Sequence, residues 1–289
     1  IYNIRMYIQD IPILYINLKR DVTRRSILEH DLEQIGATFK RVDAIYGKDL
    51  FDRAFRKTIA KKLGVRERQL HPEFWFNRSN FKTMDNNKNS ILSKVGCYLS
   101  HLLALKTAMD LGYDKVLILE DDAMPLINAF STFSIPKNAD LFYLGGAYIH
   151  NSDKTFTSKK KLISIDTEQF KIVCAFAYIV PSKETIKSIY KLFMAVFLDG
   201  KGHDKPDNWK NNTIRLRAQT ADFMLINFVQ KLGNAYIVNP PMISTREFES
   251  NIINNRGKYK LLNFIDANTQ YKMIGKRGMY TGLYKILSN

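Results

Sequence analysis

"VLILEDDAMPL", residues 116–126, runs from four apolar residues straight into Glu120, Asp121 and Asp122. The run beginning at Lys115, "KVLILE", has the length and continuous apolarity of a strand buried on both faces. In an open α/β sheet the carboxyl ends of such strands face a ligand crevice, so the three acids are expected there. Carboxylates crowded together repel unless a cation lies between them. Oxygen donors suit Mg2+ or Mn2+, the ions that carry diphosphates. In extended geometry Glu120 and Asp122, two apart, point the same way, with Asp121 opposed. A solvated turn, or a cap before a helix begun at Pro125, accommodates the same triplet.

Outward from this strand the chain alternates. "IPILYINL" (11–18) is expected to be a strand, followed by the charged turn "KRDVTRR" (19–25) and a helix through Leu28, Leu32 and Ile35 that stops at Gly36. "ATFKRVDAIYG" (37–47) continues as a second strand, which makes a β-α-β start with basic residues at the first strand's carboxyl end. Ser90 is the expected N-cap of a long helix carrying Leu92, Val95, Leu99, Leu102 and Leu103 and ending at Gly112. Further strands are expected over 139–147 and 170–180, and helices over 183–195 and 219–231. No internal repeat or clear linker appears. The expected organisation is one α/β domain over residues 1–250, with a mixed, Rossmann-like sheet flanked by helices. Residues 48–89 form an insertion or lid, and residues 251–289 a small appendage.

Composition limits the function classes. The chain has 289 residues, 45% of them hydrophobic, which is enough for a substantial core. Its formal charge of +16 favours anionic partners: phosphates, nucleic acid or an acidic membrane surface. Apolar stretches such as "VCAFAYIV" (173–180) fall far short of the roughly 20 residues of a membrane span. "IYNIRMYIQD" lacks the apolar region of a signal peptide. Cys97 and Cys174 give neither a disulfide framework nor zinc-ligand spacing. These features together suggest a cytoplasmic protein, soluble or peripheral at a membrane. The segment from Arg256 to Lys285 sets seven basic residues and interleaved tyrosines against the single acid Asp266. It suits an anionic membrane surface, and equally a solvated face. The sequons at Asn77 and Asn211 are expected to be chance matches.

The ordered blocks "YINLKRDVTRR", "FKRVDAIYG", "VGCYLSH", "VLILEDDA", "AYIV" and "NPPMI" resemble glycosyltransferase family 25, the lipooligosaccharide and procollagen galactosyltransferase family. The resemblance covers most of residues 12–253 and implies a GT-A fold, a UDP-sugar donor, usually Mn2+, and inversion at the anomeric carbon. It implies metal ligation by the acidic triplet, Glu120 and Asp122 above all, with Asp121 beside the donor. It places the nucleotide segment on Asn17, Leu18, Arg20 and Arg25, with Asp43, Ser100 and His101 as further matching positions. It further implies galactose or glucose as the sugar, and a glycan, lipid-linked glycan or hydroxylysine hydroxyl as acceptor. Two departures are Lys94, where members commonly carry Glu, and Thr245 and Arg246, near a usual Gln-like position.

Inversion by direct displacement needs a base for the acceptor hydroxyl, usually a carboxylate. The family's later acid falls on Asp222 in "RAQTADFMLINF", where an ordinary helix N-terminal acid is the other reading. His203, Asp204 and Asp207 form a second polar cluster, most simply a loop. For His101 the plain reading is a half-buried, hydrogen-bonded imidazole. At least one of Arg20, Arg24 and Arg25 is expected on a diphosphate, because guanidinium pairs with phosphate through two bonds. The +16 charge also fits a nucleic-acid-binding protein, but no zinc finger, helix-turn-helix or aromatic RNA-binding motif accompanies it. A dinucleotide enzyme is a weaker alternative still, because no G-x-G-x-x-G follows a strand.

Overall fold

The computed structural model describes residues 5–78, 88–150, 160–205, 208–210, 213–246 and 260–261. Seven strands form the main sheet: β1 (Ile13–Asn17), β2 (Phe39–Asp43), β3 (Val116–Glu120), β4 (Leu141–Tyr143), β5 (Leu162–Ser164), β6 (Ala177–Val180) and β7 (Ala235–Val238). Their order is β2-β1-β3-β6-β4-β7-β5. β1 runs parallel to both β2 and β3, with Asn17 opposite Asp43 and Ile16 opposite Glu120. The carboxyl ends of all three therefore lie on one edge. β6 joins β3 antiparallel, and the sheet is mixed as expected.

Helices cover both faces. α1 (Val22–Gln34) ends as its sequence dictates, with Gly36 in the left-handed region at φ 67°. It lies on one face with Ile13, Tyr15, Leu117 and Leu119. The other face carries α4 (Lys88–Asp110), α5 (Lys183–Met194) and α6 (Ala221–Met224), packed on Leu14, Ile16, Val116 and Ile118. The two-residue period thus sorts each central strand between two cores. Because the connections β1–α1–β2 and β2–α4–β3 cross opposite faces of the sheet, a crevice opens at the carboxyl ends of β1 and β3.

Several local expectations are corrected. α4 already includes Lys88, so Ser90 lies in its first turn and is not its cap. The expected strand 170–180 is two strands, Phe170–Val173 and β6, broken where Cys174 adopts a left-handed backbone at φ 64°. The 139–147 run likewise divides into β4 and Ala147–His150. In the segment expected as an insertion or lid, α2 (Arg53–Leu63) starts at Asp52, whose side chain accepts a bond from Phe55 N at 2.8 Å. α3 (Pro72–Arg78) follows, and buried Leu70 and Trp75 join the α4 core. Apart from the short strand Lys260–Leu261, which pairs with Ala147–Tyr148, the expected appendage lies outside the described residues, as do Asp207 and Asn211. Among the described residues no helix is long and apolar enough to cross a membrane.

Backbone meets backbone where α4 crosses the segment after β2. A Cβ on Gly96 would lie 2.4 Å from Ile45 O, and one on Gly47 would lie 1.8 Å from Leu92 O. Ser100 fastens the same contact, accepting from Ile45 N at 2.8 Å and donating to Gly96 O at 2.7 Å. Gly96→Ala should therefore overpack the junction and cost about 1–3 kcal/mol, read as a lowered melting temperature. An unchanged melting curve would show that the two backbones have room to separate.

Candidate active site

The cleft at the carboxyl ends of β1 and β3 encloses about 740 Å³ with its open side included, and Glu120, Asp121 and Asp122 all line it. The three acids are not one extended strand. β3 ends at Glu120, and Asp121 and Asp122 form a turn before the short strand Ala123–Pro125. Strand alternation therefore does not fix how Asp121 and Asp122 face. Nor is the turn a solvated one: Asp121 is 9% and Asp122 8% exposed.

Alternation does govern Glu120, which follows Val116 and Ile118 onto the α4 face. There His101 Nε2 lies 3.2 Å from Glu120 Oε1, while His101 Nδ1 meets Tyr178 Oη at 2.9 Å. His101 is 1% exposed, so both ring nitrogens are committed within the protein. Cys97 precedes His101 by four residues, one helical turn, and shares its face. Burial first, then the fields of Glu120, Asp222 and Asp122, push the Cys97 thiol well above its ordinary value. Glu120, Asp122 and Asp222 therefore all lie near enough to Cys97 for their charges to act on it, although Asp222 is not in the cleft lining.

Asp121 serves a different contact. Asn17 Nδ2 donates to its Oδ2 at 2.9 Å and Arg24 Nη1 to its Oδ1 at 3.1 Å. Asn17 also donates to Asp21 O at 3.1 Å, tying β1 to the start of α1. The acidic turn is fixed from behind by Arg246, whose backbone N donates to Asp122 O at 2.7 Å and whose guanidinium bonds Ala123 O and pairs with Asp31. Arg246 and Cys97 were not among the sequence-derived site residues. Only the departure near "NPP" pointed to Arg246, and only the "VGCYLSH" block to Cys97.

The remaining expected residues divide. Leu18 lines the cleft, as does Ser100, although the Ser100 hydroxyl is occupied by Ile45 and Gly96. Arg20 lies with its guanidinium 3.9 Å from the centre of the Tyr46 ring, and Tyr46 is on the cleft wall. A hydrogen bond from Arg20, followed by lesser effects including Lys48, lowers the Tyr46 phenol below its ordinary value. Arg24 is the arginine that lines the cleft; Arg25 does not, and its charge acts on Tyr15. Asp43 is outside the lining as well, exposed and paired with Arg41. The Asp222 carboxylate is held by the Thr220 hydroxyl and by Phe223 N at 3.0 Å. Asp204 lies 3.3 Å from Arg217, outside the cleft lining. Two buried acceptors near the end of β1, Asn17 Oδ1 and Oδ2 of the cleft-lining Asp21, have no hydrogen-bond donor among the described residues. A ligand N–H or O–H would satisfy them.

Asp121 makes the site pH-sensitive in a definite direction. Burial is the largest influence and raises its pKa above 3.8 despite the opposing Asn17 and Arg24 contacts. The folded state then holds the proton to higher pH than the unfolded chain, so this contribution to stability is present at low pH and lost as pH rises through the folded value. Measured without divalent ions, wild type should lose stability relative to Asp121→Asn as pH climbs from roughly 4 toward neutrality. Parallel melting curves would mean that Arg24 and Asn17 outweigh burial.

Comparison with known proteins follows this geometry. A solved structure described as a glycosyltransferase involved in the glycosylation of the major capsid of PBCV-1 is similar over 63% of this chain, with 11% identity and a TM-score of 0.30. The match spans 65% of that protein's length. No curated protein matches. The family model described as glycosyltransferase family 25 (LPS biosynthesis protein) matches residues 10–195, a span containing β1, α1, β2, α4, β3 and the acidic turn. The chain belongs to glycosyltransferase family 25.

Proposed function

We propose that this family member is a metal-dependent inverting glycosyltransferase with a GT-A fold. It moves a hexose, galactose or glucose, from a UDP-sugar to a hydroxyl of a glycan, lipooligosaccharide or hydroxylysine-type acceptor. The catalytic domain in this reading spans residues 1–250, and the basic, Tyr-rich appendage contacts an anionic membrane. The observation that carries the proposal is the convergence of Glu120, Asp121, Asp122 and Arg24 on one cleft at the carboxyl ends of parallel strands.

The donor set suits a hard divalent cation. Glu120 and Asp122 offer carboxylate oxygens, and the side chain of Glu120 is 31% exposed and open to the cleft. These two residues would hold Mn2+ or Mg2+, which when bound supplies Lewis-acid stabilisation of the departing diphosphate. Arg24 and Arg20 add fixed positive charge near the phosphates. Asn17 Oδ1 and Asp21 Oδ2 accept from donor groups of the nucleotide. Asp222, oriented by Thr220 and Phe223 N, takes the proton of the acceptor hydroxyl. The acceptor oxygen bonds the anomeric carbon as the bond to UDP breaks on the opposite face, which inverts the configuration.

The test pairs binding with turnover. UDP should bind far more tightly with Mn2+ or Mg2+ than with EDTA, and equal calorimetric affinity in both would remove the cation from the reaction. Asp122→Asn should fold yet lose at least about a hundredfold in transfer from a UDP-sugar, equivalent to about 2.7 kcal/mol. Near wild-type transfer would defeat the assignment of Asp122. Truncation after Asn255 should weaken sedimentation with anionic liposomes while UDP binding persists. Unchanged sedimentation would return the tail to a solvated face.

A further inference from the structure

The wall of the cleft facing α4 has donors of a different chemical kind from the acidic turn. Cys97 Sγ, a ring nitrogen of His101 and a carboxylate oxygen of Glu120 all lie within 4.8 Å of one another. We propose that these three side chains form a second cation site, for a borderline-soft ion of the zinc class, with its remaining coordination position open to the cleft.

Three observations carry this. The spacing follows from the fold: Cys97 and His101 are one turn apart on α4, and β3 ends with Glu120 on the same side. Ligand atoms on a tetrahedral zinc ion are roughly 3.3–3.8 Å apart, given bonds of about 2.0–2.3 Å. The His101–Glu120 separation of 3.2 Å is already close to that, and small side-chain rotations bring in the sulfur. The imidazole also has an outer partner. His101 Nδ1 lies 2.9 Å from the buried Tyr178 hydroxyl, so in the metal-bound state Nδ1–H donates there and the Nε2 lone pair is left for the ion. Metal-ligating histidines are usually oriented by such a contact on the other ring nitrogen. Finally, Glu120, Asp222 and Asp122 create a negative field around Cys97 that favours a cation.

On binding, the Cys97 thiol proton and any proton held between His101 Nε2 and Glu120 pass to solvent, leaving thiolate, neutral imidazole and carboxylate on the metal. That donor set favours zinc-class ions over Mn2+ and Mg2+, which prefer oxygen alone. The inference shares one ligand with the proposed function, Glu120, while Asp122 and Asp222 act on Cys97 only through their charge.

Co2+ titrated into the full chain is the test, because a cobalt–thiolate bond gives a near-ultraviolet charge-transfer band that oxygen-only coordination lacks. One equivalent should produce the band, Zn2+ should displace it, and Cys97→Ser should abolish it while the protein still shows a cooperative melt. Tyr178→Phe keeps all three ligands but removes the outer hydrogen bond, so the band should persist with about 10–100-fold weaker Co2+ binding. Cobalt bound without the band, or a band surviving Cys97→Ser, overturns the site. Should Cys97→Ser fail to fold, undiminished affinity in Tyr178→Phe overturns it instead. Loss of Mn2+-supported UDP binding in wild type, with the cobalt band retained, strikes the glycosyl-transfer reading and leaves this site standing.

Discussion

Three consecutive carboxylates at the end of a buried strand can remain together only if each is given its own compensation. The structure separates them within a few ångströms. Glu120 stays on the strand and turns to His101, Asp121 is taken up by Asn17 and Arg24, and Asp122 is held through its backbone by Arg246. Asn17 closes β1, Arg24 lies in the first turn of α1, and Arg246 follows the strand Ile243–Thr245, so the contacts that fix the acidic turn also join distant parts of the chain. A buried charge stripped of its partner is strongly destabilising, which makes these contacts mutually dependent.

Much of this was legible in the sequence because it is local. The β-α-β start, the stop at Gly36, the strand before the acids and the long apolar helix are set by periodicity and end signals within short windows. The three acids were found by the same reasoning, while Asn17 and Leu18 came from the family resemblance; the acids and Leu18 share the cleft, and Asn17 bonds Asp121.

What escaped depends on pairings between distant segments. Extended geometry carried through Asp122 assumes a strand that continues, whereas β3 loses its neighbour at Glu120 and the chain turns. Arg24 and Arg25 are adjacent in sequence, and only the 100° step per residue of α1 decides which reaches Asp121. Cys97 carried no ligand spacing of its own because its relation to Glu120 requires α4 to be docked on β3. Ser90 looked like a cap because Lys88 and Asn89, already helical, are both polar and announce no apolar period. Arg246 follows a short strand paired with Ala123–Pro125, a contact across more than a hundred residues that no local pattern encodes.

The glycine contact between α4 and residues 45–47 bears on how such a site can diversify. One wall of the cleft is positioned there by main chain against main chain, with the Ser100 hydroxyl as a pin. Side chains that project from this wall, such as Tyr46 and Ser93, are therefore not what sets its position. They can be exchanged for larger, smaller or differently charged ones without moving the wall itself. Architecture and the projecting surface are thereby assigned to different atoms, so a cleft of this build can change what it accepts by altering a few projecting groups over a scaffold whose dimensions do not change.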